Sequence, residues 1–354
     1  MKLLLTGHEG YIGSVLGPML REQGHDVVGL DTDFYQGCDF SPLTVLPSQR
    51  IDLRDVQVDH LVGFDAVLHL AALSNDPLSD LDPRLTYEIN HQASVRLASL
   101  AKQAGVKRFL FSSSCSLYGA AGDDFLDESA AFNPVTAYGE SKVLVERDVR
   151  QLADDRFSPT FLRNATAYGV SPRLRGDLVV NNLVGYAHAT GEVLIKSDGS
   201  PWRPLVHLRD ICAAFIAVLH APRELVHNES FNVGQTSENY RIREVADMVR
   251  EVVPGSRVMY AADGGPDLRC YRVNCDKIAR VLPEFRPRWT VRQGVEELYE
   301  AYRRHALTLD DLQGPRYMRI ATVRKLLGSE SLDRSLRWRA SLPYAAPQMT
   351  VAAV

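Results

Sequence analysis

No stretch of this chain approaches the ~20 consecutive apolar residues needed to cross a bilayer, so no membrane association is expected. An excess of charge of one sign is missing too. A formal net charge of −4 over 354 residues gives no general attraction to nucleic acid or an anionic surface. Cysteine is scarce: the five, at 38, 115, 212, 270 and 275, contain one close pair, Cys270 and Cys275, with no second pair and no histidine cluster nearby. Isolated thiols fit that spacing better than ligands, so no metal is expected and a reducing cytoplasm is the default compartment. Internal repeats are also lacking. The N-terminus has a single lysine, Lys2, before strand and glycine loop begin, which reads as fold rather than signal peptide.

What is present is ordinary globular material, 45% apolar and 24% charged, long enough for a full core and for more than one typical domain. In the first half, apolar strands are expected at 2–5, 26–30, 66–70 and 108–112, with helical patterns over 12–22, 87–104 and 137–153 between and after them. A further strand is expected at 158–163. This alternation predicts an α/β fold, a mostly parallel sheet with helices on both faces. After residue 165 the texture changes to Pro-, Arg- and Asn-rich loops. Helices are expected near 178–190, 210–219, 242–252 and 292–305, with short strands near 193–195, 205–207, 229–233 and 256–260. Asp210 is placed to cap or neutralise a helix start. We therefore divide the chain into a core over 1–165, a smaller α/β substrate-binding region over 166–305 with some segments returning to the core, and an extension over 306–354 of no assigned role. The last twenty or so residues are expected to form a loosely held tail.

Gly7, Gly10 and Gly13 directly follow the first strand, enclosing Glu9, Tyr11 and Ile12. Three glycines so spaced serve a tight turn, close backbone approach to a pyrophosphate, and close packing of helix on sheet. Asp31 ends the second strand, where a carboxylate accepts hydrogen bonds from adenosine ribose hydroxyls and repels a 2′-phosphate. With no cation at Thr32 or Asp33, NAD is favoured over NADP. Asp52 and Leu53 are placed to meet the adenine, the carboxylate accepting from its amine and the leucine backing the ring. Leu70, Ala71 and Ala72 form a passage beside the cofactor. His69 reads as a packed strand residue. Asn90, grouped with the cofactor residues, is either solvated or ties backbone across to a neighbouring strand.

Tyr138 and Lys142, in Tyr-Gly-Glu-Ser-Lys, lie four apart and share one helix face. Ser112-Ser113-Ser114 ends the strand before them. Hydride transfer from a secondary alcohol needs a base for the hydroxyl proton, and a free phenol titrates too high, near 10. A lysine cation and an oxidised nicotinamide both favour phenolate. Tyr138 is thus the expected base, Lys142 its tuner and a hold on the nicotinamide ribose, and Ser114 the orienter of the reacting oxygen. Ser112 and Ser113 are expected to face the fold.

Taken together, Thr6-Gly-His-Glu-Gly-Tyr-Ile-Gly13, Asp31, Asp52-Leu53, Ser112 to Gly119, Tyr138 to Lys142 and Arg203 to Asp210 resemble the extended short-chain dehydrogenase/reductase family, in its nucleotide-sugar epimerase/dehydratase branch. The resemblance covers residues 2 to about 300 and implies a Rossmann-type sheet, NAD, a nucleoside-diphosphate sugar as substrate, and a homodimer joined through two helices, one bearing Tyr138. The 4,6-dehydratases of the family carry Asp-Glu after the serine, whereas this chain has Cys115-Ser116, without either carboxylate. Dehydration is therefore disfavoured, and 4-epimerisation, which needs only Ser, Tyr and Lys, leads. Net oxidation or reduction of a nucleotide sugar, and a 3,5-epimerisation that uses Cys115 as acid or base, stay open beside it; so does Cys115 as a buried spectator. The intact Ser/Tyr/Lys set argues against a non-catalytic scaffold.

By position in the family, Asn181 or Asn182 would bond a phosphate or ribose, and Arg203 and Arg269 are the best diphosphate clamps. Thr166 stands where many members have asparagine. Trp202 either walls the pocket or packs under the loop. Asp76, Asp80 and Asp82 form a solvated loop or lie beside the sugar, where they would disfavour a carboxylate.

Overall fold

The computed structural model describes residues 1–74, 76–79, 81–261 and 269–339. Seven strands form one parallel sheet, in the order Ser230–Val233, Ser158–Asn164, Arg108–Ser114, Ala66–His69, Lys2–Thr6, Asp26–Asp31 and Ser48–Arg50. Leu3, Leu4 and Leu5 are wholly buried in the central strand, as expected where helices cover both faces. Leu3 pairs with Val27 on one side and Ala66 on the other. The chain thus leaves the first strand in one direction and returns on its other side. That reversal opens a crevice at the carboxyl ends of the strands Lys2–Thr6 and Ala66–His69, the usual ligand position in such sheets.

The expected strands and long helices form close to their anticipated bounds, with two instructive differences. Residues 87–92 form a π-helical stretch that runs into the Ala93–Gln103 helix, rather than one continuous α-helix. The Ser48–Arg50 edge strand, lacking apolar alternation, gave no sequence signal. His69 is buried between Thr6 and Ser94, its ring nitrogens 2.7 Å from each hydroxyl. Asp210 lies in the first turn of the Leu208–His220 helix, but its carboxylate accepts from the backbone N–H groups of Arg288 and Trp289 at 3.0 and 3.1 Å. Its work is to pin a distant loop rather than to cap its own helix.

The second region has its own core. Val180, Leu183 and Val184 from one helix, Val245, Ala246 and Val249 from a second and Val295, Leu298 and Tyr302 from a third are buried against one another, each set at helical three- and four-residue spacing. A three-stranded sheet (Asn239–Arg241, Trp202–His207, Thr166–Tyr168) and the pair Arg257–Tyr260 with Glu192–Ile195 complete it, while Cys270–Val273 pairs back onto Ala120–Leu126 of the first region. The Ser230–Val233 strand, late in the chain, returns to pair with Ser158–Asn164 in the main sheet.

Beyond residue 306 the chain remains structured through Arg339, with helices at Leu309–Gln313 and Arg319–Gly328. Leu312, Val323, Leu332 and Leu336 are buried. The Trp338 indole donates to the Thr32 carbonyl at 2.8 Å and packs on Phe34. The loosely held tail expected from about 335 therefore does not describe 335–339, and the remainder of it lies outside the described residues.

Candidate active site

One cavity of about 860 Å³ occupies the crevice. It brings together nearly every residue singled out from the sequence: Gly7, Glu9, Gly10, Tyr11, Ile12, Gly13, Asp31, Asp52, Leu53, Leu70, Ala71, Ala72, Ser114, Tyr138, Lys142, Thr166, Asn182, Arg203 and Arg269 all line it. Three do not: Asn90, Cys115 and Asn181.

At one end the wall is backbone. Gly7 adopts φ +73°, and a side chain there would meet the Ala71 nitrogen at 2.7 Å, while one on Gly13 would come within 2.2 Å of the Gly7 carbonyl. The strand end, the loop and the Gly13–Glu22 helix are pressed together with no room for a Cβ, which leaves helix N–H groups facing a ligand's phosphates. The Asp31 carboxylate is fixed by the backbone N–H groups of Glu9 and Asp33, each at 3.0 Å. Burial works against ionisation of Glu9, but hydrogen bonds from His8 and Arg173 outweigh it and hold the carboxyl at about 2. Asp52 departs from expectation. Arg54 grips both its oxygens at 2.9 and 2.7 Å, so the carboxylate is engaged before any adenine arrives. The residues present fit a dinucleotide: a glycine cradle, a ribose-facing acid without a neighbouring 2′-phosphate cation, and apolar walls at Ile51 and Leu53.

At the centre, Ser114 ends its strand, and its Oγ accepts from Ser116 N–H at 3.1 Å and donates to the Ser116 hydroxyl at 3.0 Å. Thr136 caps the Ala137–Arg150 helix through Gly139 N–H, which sets Tyr138 one turn before Lys142. The Lys142 ammonium donates to the Ser112 carbonyl at 2.8 Å and lies 5.5 Å from the centre of the Tyr138 ring. Its acidity is the surprise. Burial pulls Lys142 down to about 7, against the opposing Glu146 carboxylate, and pushes the Tyr138 phenol up to about 12. The groups that pull Tyr138 back down are the Arg175 cation and a hydrogen bond with Ser114, with Asp76 acting the other way. Of the two groups expected to favour phenolate, a lysine cation and an oxidised nicotinamide, the lysine is not among the groups that act on Tyr138 here, because in a site this dry its own charge is costly.

Ser112 and Ser113, both expected to face the fold, also line the cavity: the Ser113 hydroxyl is turned inward to donate to Glu146 at 2.6 Å, whereas Ser112 lies on the same side of its strand as Ser114, its hydroxyl accepting from Asn164 at 3.0 Å. Cys115 is fully buried, its Sγ directed to the Arg163 carbonyl at 3.1 Å, with burial raising the thiol well above its usual range. Ser116, not Cys115, takes the wall position. Asn90 ties backbone, accepting from Leu73 N–H at 2.7 Å and donating to its carbonyl at 3.0 Å. Asn181 is wholly buried and holds Gly169 N–H and the Arg175 carbonyl, each at 3.0 Å, so its amide shapes the loop and does not reach the cavity.

At the far end the walls are side chains from distant segments. The Asn182 amide donates to the Gly176 carbonyl at 2.8 Å. Arg203 donates to the carbonyls of Trp202 and Arg269, and Arg269 pairs with Asp76. Asp76 therefore lines the cavity, Asp82 instead caps the Pro83–Thr86 helix, and Asp80 lies outside the described residues. Trp202 packs between Arg241 and Arg272 and is not a cavity wall. Sequence reasoning missed Arg175 with its bidentate partner Asp177 at 2.9 and 3.0 Å, the buried Tyr271, and Arg319. Arg175 lies in a loop, Tyr271 in the short Cys270–Val273 strand and Arg319 at the start of a helix in the extension, and nothing at their own positions announces the cavity.

A Rossmann-type sheet with a glycine-lined dinucleotide cradle, a serine at a strand end and a Tyr/Lys pair on the helix beside it defines the nucleotide-dependent dehydrogenase/reductase class. Within it, the profile of the NAD dependent epimerase/dehydratase family matches residues 3–234; the chain belongs to that family, and its cofactor is NAD. It is 30% identical over 270 residues to a UDP-glucose 4-epimerase of Corynebacterium glutamicum, covering 71% of this chain and 80% of that protein. Among solved structures, MoeE5 in complex with UDP-glucuronic acid and NAD is 30% identical with a TM-score of 0.75, over 86% of this chain and 99% of that one. The UDP-glucose 4-epimerase of Thermotoga maritima, at 23% identity and a TM-score of 0.74 over 86% of this chain and all of that one, shares the fold.

Proposed function

We propose that this protein is a 4-epimerase of a nucleoside-diphosphate sugar, with a uridine nucleotide and an uncharged hexose as the favoured substrate. NAD, when bound, would supply a hydride acceptor and a positively charged ring, held by the glycine loop and Asp31. Tyr138 takes the proton from the C4 hydroxyl, Ser114 holds the same oxygen, and Lys142 anchors the strand end through the Ser112 carbonyl. For the inversion to be completed, Tyr138 would give the proton back to the same oxygen while Ser114 keeps hold of it.

The observation that carries this reading is the strand end itself. Ser114 and Tyr138 line the cavity with Ser116 where a dehydratase would present a carboxylate, and Cys115 is turned into the core. A serine hydroxyl has no means of removing a carbon-bound proton near neutrality, so the site is equipped for oxidation and reduction at one carbon and not for elimination. The same burial of Cys115 argues against a thiol-dependent 3,5-epimerase. For the sugar, Asp76 lines the cavity with its Oδ1 buried and unpartnered, which welcomes hydroxyl donors and repels a uronic carboxylate. The UDP-glucose 4-epimerases among the relatives support the uridine nucleotide.

The test is incubation with UDP-glucose and UDP-galactose followed by NMR. Interconversion to one equilibrium mixture from either side, without net change at the reduced-nicotinamide absorbance, is expected. Stoichiometric NADH formation, or loss of water from the sugar, would overturn the assignment.

A further inference from the structure

The Arg319–Gly328 helix belongs to the C-terminal extension, yet its first turn reaches the cavity: Met318 and Arg319 both line it. Arg319 is 2% exposed. Its guanidinium lies 3.7 Å over the Tyr35 ring, and Nη2 donates to the Arg173 carbonyl at 3.1 Å. Nη1 has no hydrogen-bond partner, and no carboxylate pairs with Arg319 among the described residues. Its neighbours are differently placed: Arg173 is spent on Glu9 at 2.9 Å and on Asp39 at 3.1 Å, and Arg175 on Asp177. A cation this deeply buried without a counter-ion is costly. The helix that carries it also starts with no side-chain cap and no acidic residue in its first turn, so its positive end is unanswered as well.

These two observations converge on one ligand chemistry. We propose that the C-terminal extension donates a diphosphate-binding residue, Arg319, whose Nη1, together with the N-terminal turn of its helix, receives an anionic phosphoryl oxygen of a ligand bound in the cavity. The position favours the dinucleotide as its source. Arg319 stacks on Tyr35, which follows the Asp31–Asp33 corner, and hydrogen-bonds to Arg173, which reaches Glu9 in the glycine loop. The extension is pinned at the same end: Trp338 donates to Thr32, and Arg54 to the Ser335 carbonyl at 2.9 Å. It therefore clasps the adenosine side of the site rather than the Arg203–Arg269 side. The inference rests on the family's dinucleotide cofactor and not on which sugar is turned over.

The test compares the parent enzyme with Arg319→Met, which keeps the packing on Tyr35 but removes the charge, and with Arg319→Lys, which keeps the charge. Calorimetric binding of NAD to stripped protein, of UDP to NAD-loaded protein, and the thermal midpoint are read for each. Loss of one charge-assisted contact should weaken NAD binding at least about tenfold in Arg319→Met and flatten its salt dependence, with Arg319→Lys intermediate and UDP unchanged. A matching loss for UDP alone would keep the diphosphate contact and assign it to the substrate. Should Arg319→Met not fold, the parent and Arg319→Lys still decide: inorganic pyrophosphate should compete with NAD for the parent and more weakly for the lysine variant. Affinities for NAD and UDP within twofold of the parent in a folded Arg319→Met, or pyrophosphate that binds both proteins alike, would sink the proposal.

Discussion

The two ends of the cavity are built by opposite means. At the dinucleotide end, close contact is made by main chain: the Gly7–Gly13 loop, the Ala71 nitrogen and the fixed strand end at Asp31. At the opposite end, where the proposed function would seat the sugar, it is made by side chains of Asp76, Arg203, Arg269 and Tyr271, drawn from segments far apart in the chain. A backbone site tolerates few residue types and prints a spaced pattern in the sequence. A side-chain site is held by compensating ion pairs, such as Arg269 with Asp76, and can be rebuilt by changing either partner. The first end therefore suits one kind of cofactor, and the second, on the proposed function, is the more easily altered part of the site.

The strongest challenge falls on the centre that both ends serve. Tyr138→Phe should lower turnover by about 10²–10⁴-fold, the usual worth of a positioned acid–base group, while NAD content measured after denaturation stays that of the parent. Near-parental turnover would remove Tyr138 as the base. At the backbone end, Gly7→Ala puts a Cβ on φ +73° and 2.7 Å from the Ala71 nitrogen, an atom that has no freedom to retreat. NAD binding should weaken by at least about tenfold, equivalent to ~1.4 kcal/mol, and the thermal midpoint should drop. At the side-chain end the expected response is smaller and selective. Asp76→Asn removes the repulsion toward a uronic carboxylate and should shift the kcat/KM ratio of UDP-glucuronate to UDP-glucose by about tenfold, since like-charge contacts govern specificity more than affinity. An unchanged ratio would remove Asp76 from the sugar site.

Lys142 allows the comparison to be sharpened by pH in cofactor-stripped protein. Its folded pKa, about 7, lies below the ordinary 10.5. Between those values the unfolded chain binds a proton at Lys142 that the folded chain does not, so this group's contribution to stability rises with pH across that window. The burial penalty is fully present below pH 7. Thermal midpoints from pH 7 to 10 should accordingly rise more steeply in the parent than in Lys142→Met; parallel profiles would show that the ammonium is not desolvated.

The parts of this molecule readable from sequence were those with a periodicity or a backbone constraint. The strands and helices of the main sheet, the glycine loop, Asp31 and the Tyr138/Lys142 pair all belong there. Ser48–Arg50 was missed because a short edge strand needs no apolar alternation, and Arg319 because its burial depends on a fold-back of nearly three hundred residues of chain onto Tyr35. Asn181 shows the converse failure. Position in the motif pointed to a ligand, but an asparagine amide beside two loose loop groups, Gly169 N–H and the Arg175 carbonyl, is consumed by them first.

Cys115 provides the smallest and most discriminating comparison, because it sits between two cavity-lining serines and yet belongs to the core. Its neighbours are Leu117, Tyr118, Tyr271 and Cys275, and its thiol answers the Arg163 carbonyl. A spectator in that position contributes packing only. Cys115→Ala should cost about 1 kcal/mol of stability, the scale of a small buried deletion, and leave kcat within about twofold, a difference well below the 10²-fold minimum expected of an acid–base residue. Full loss of turnover with the thermal midpoint preserved would show that the thiol reaches the sugar, and the strand end would then have to be read as a two-base site.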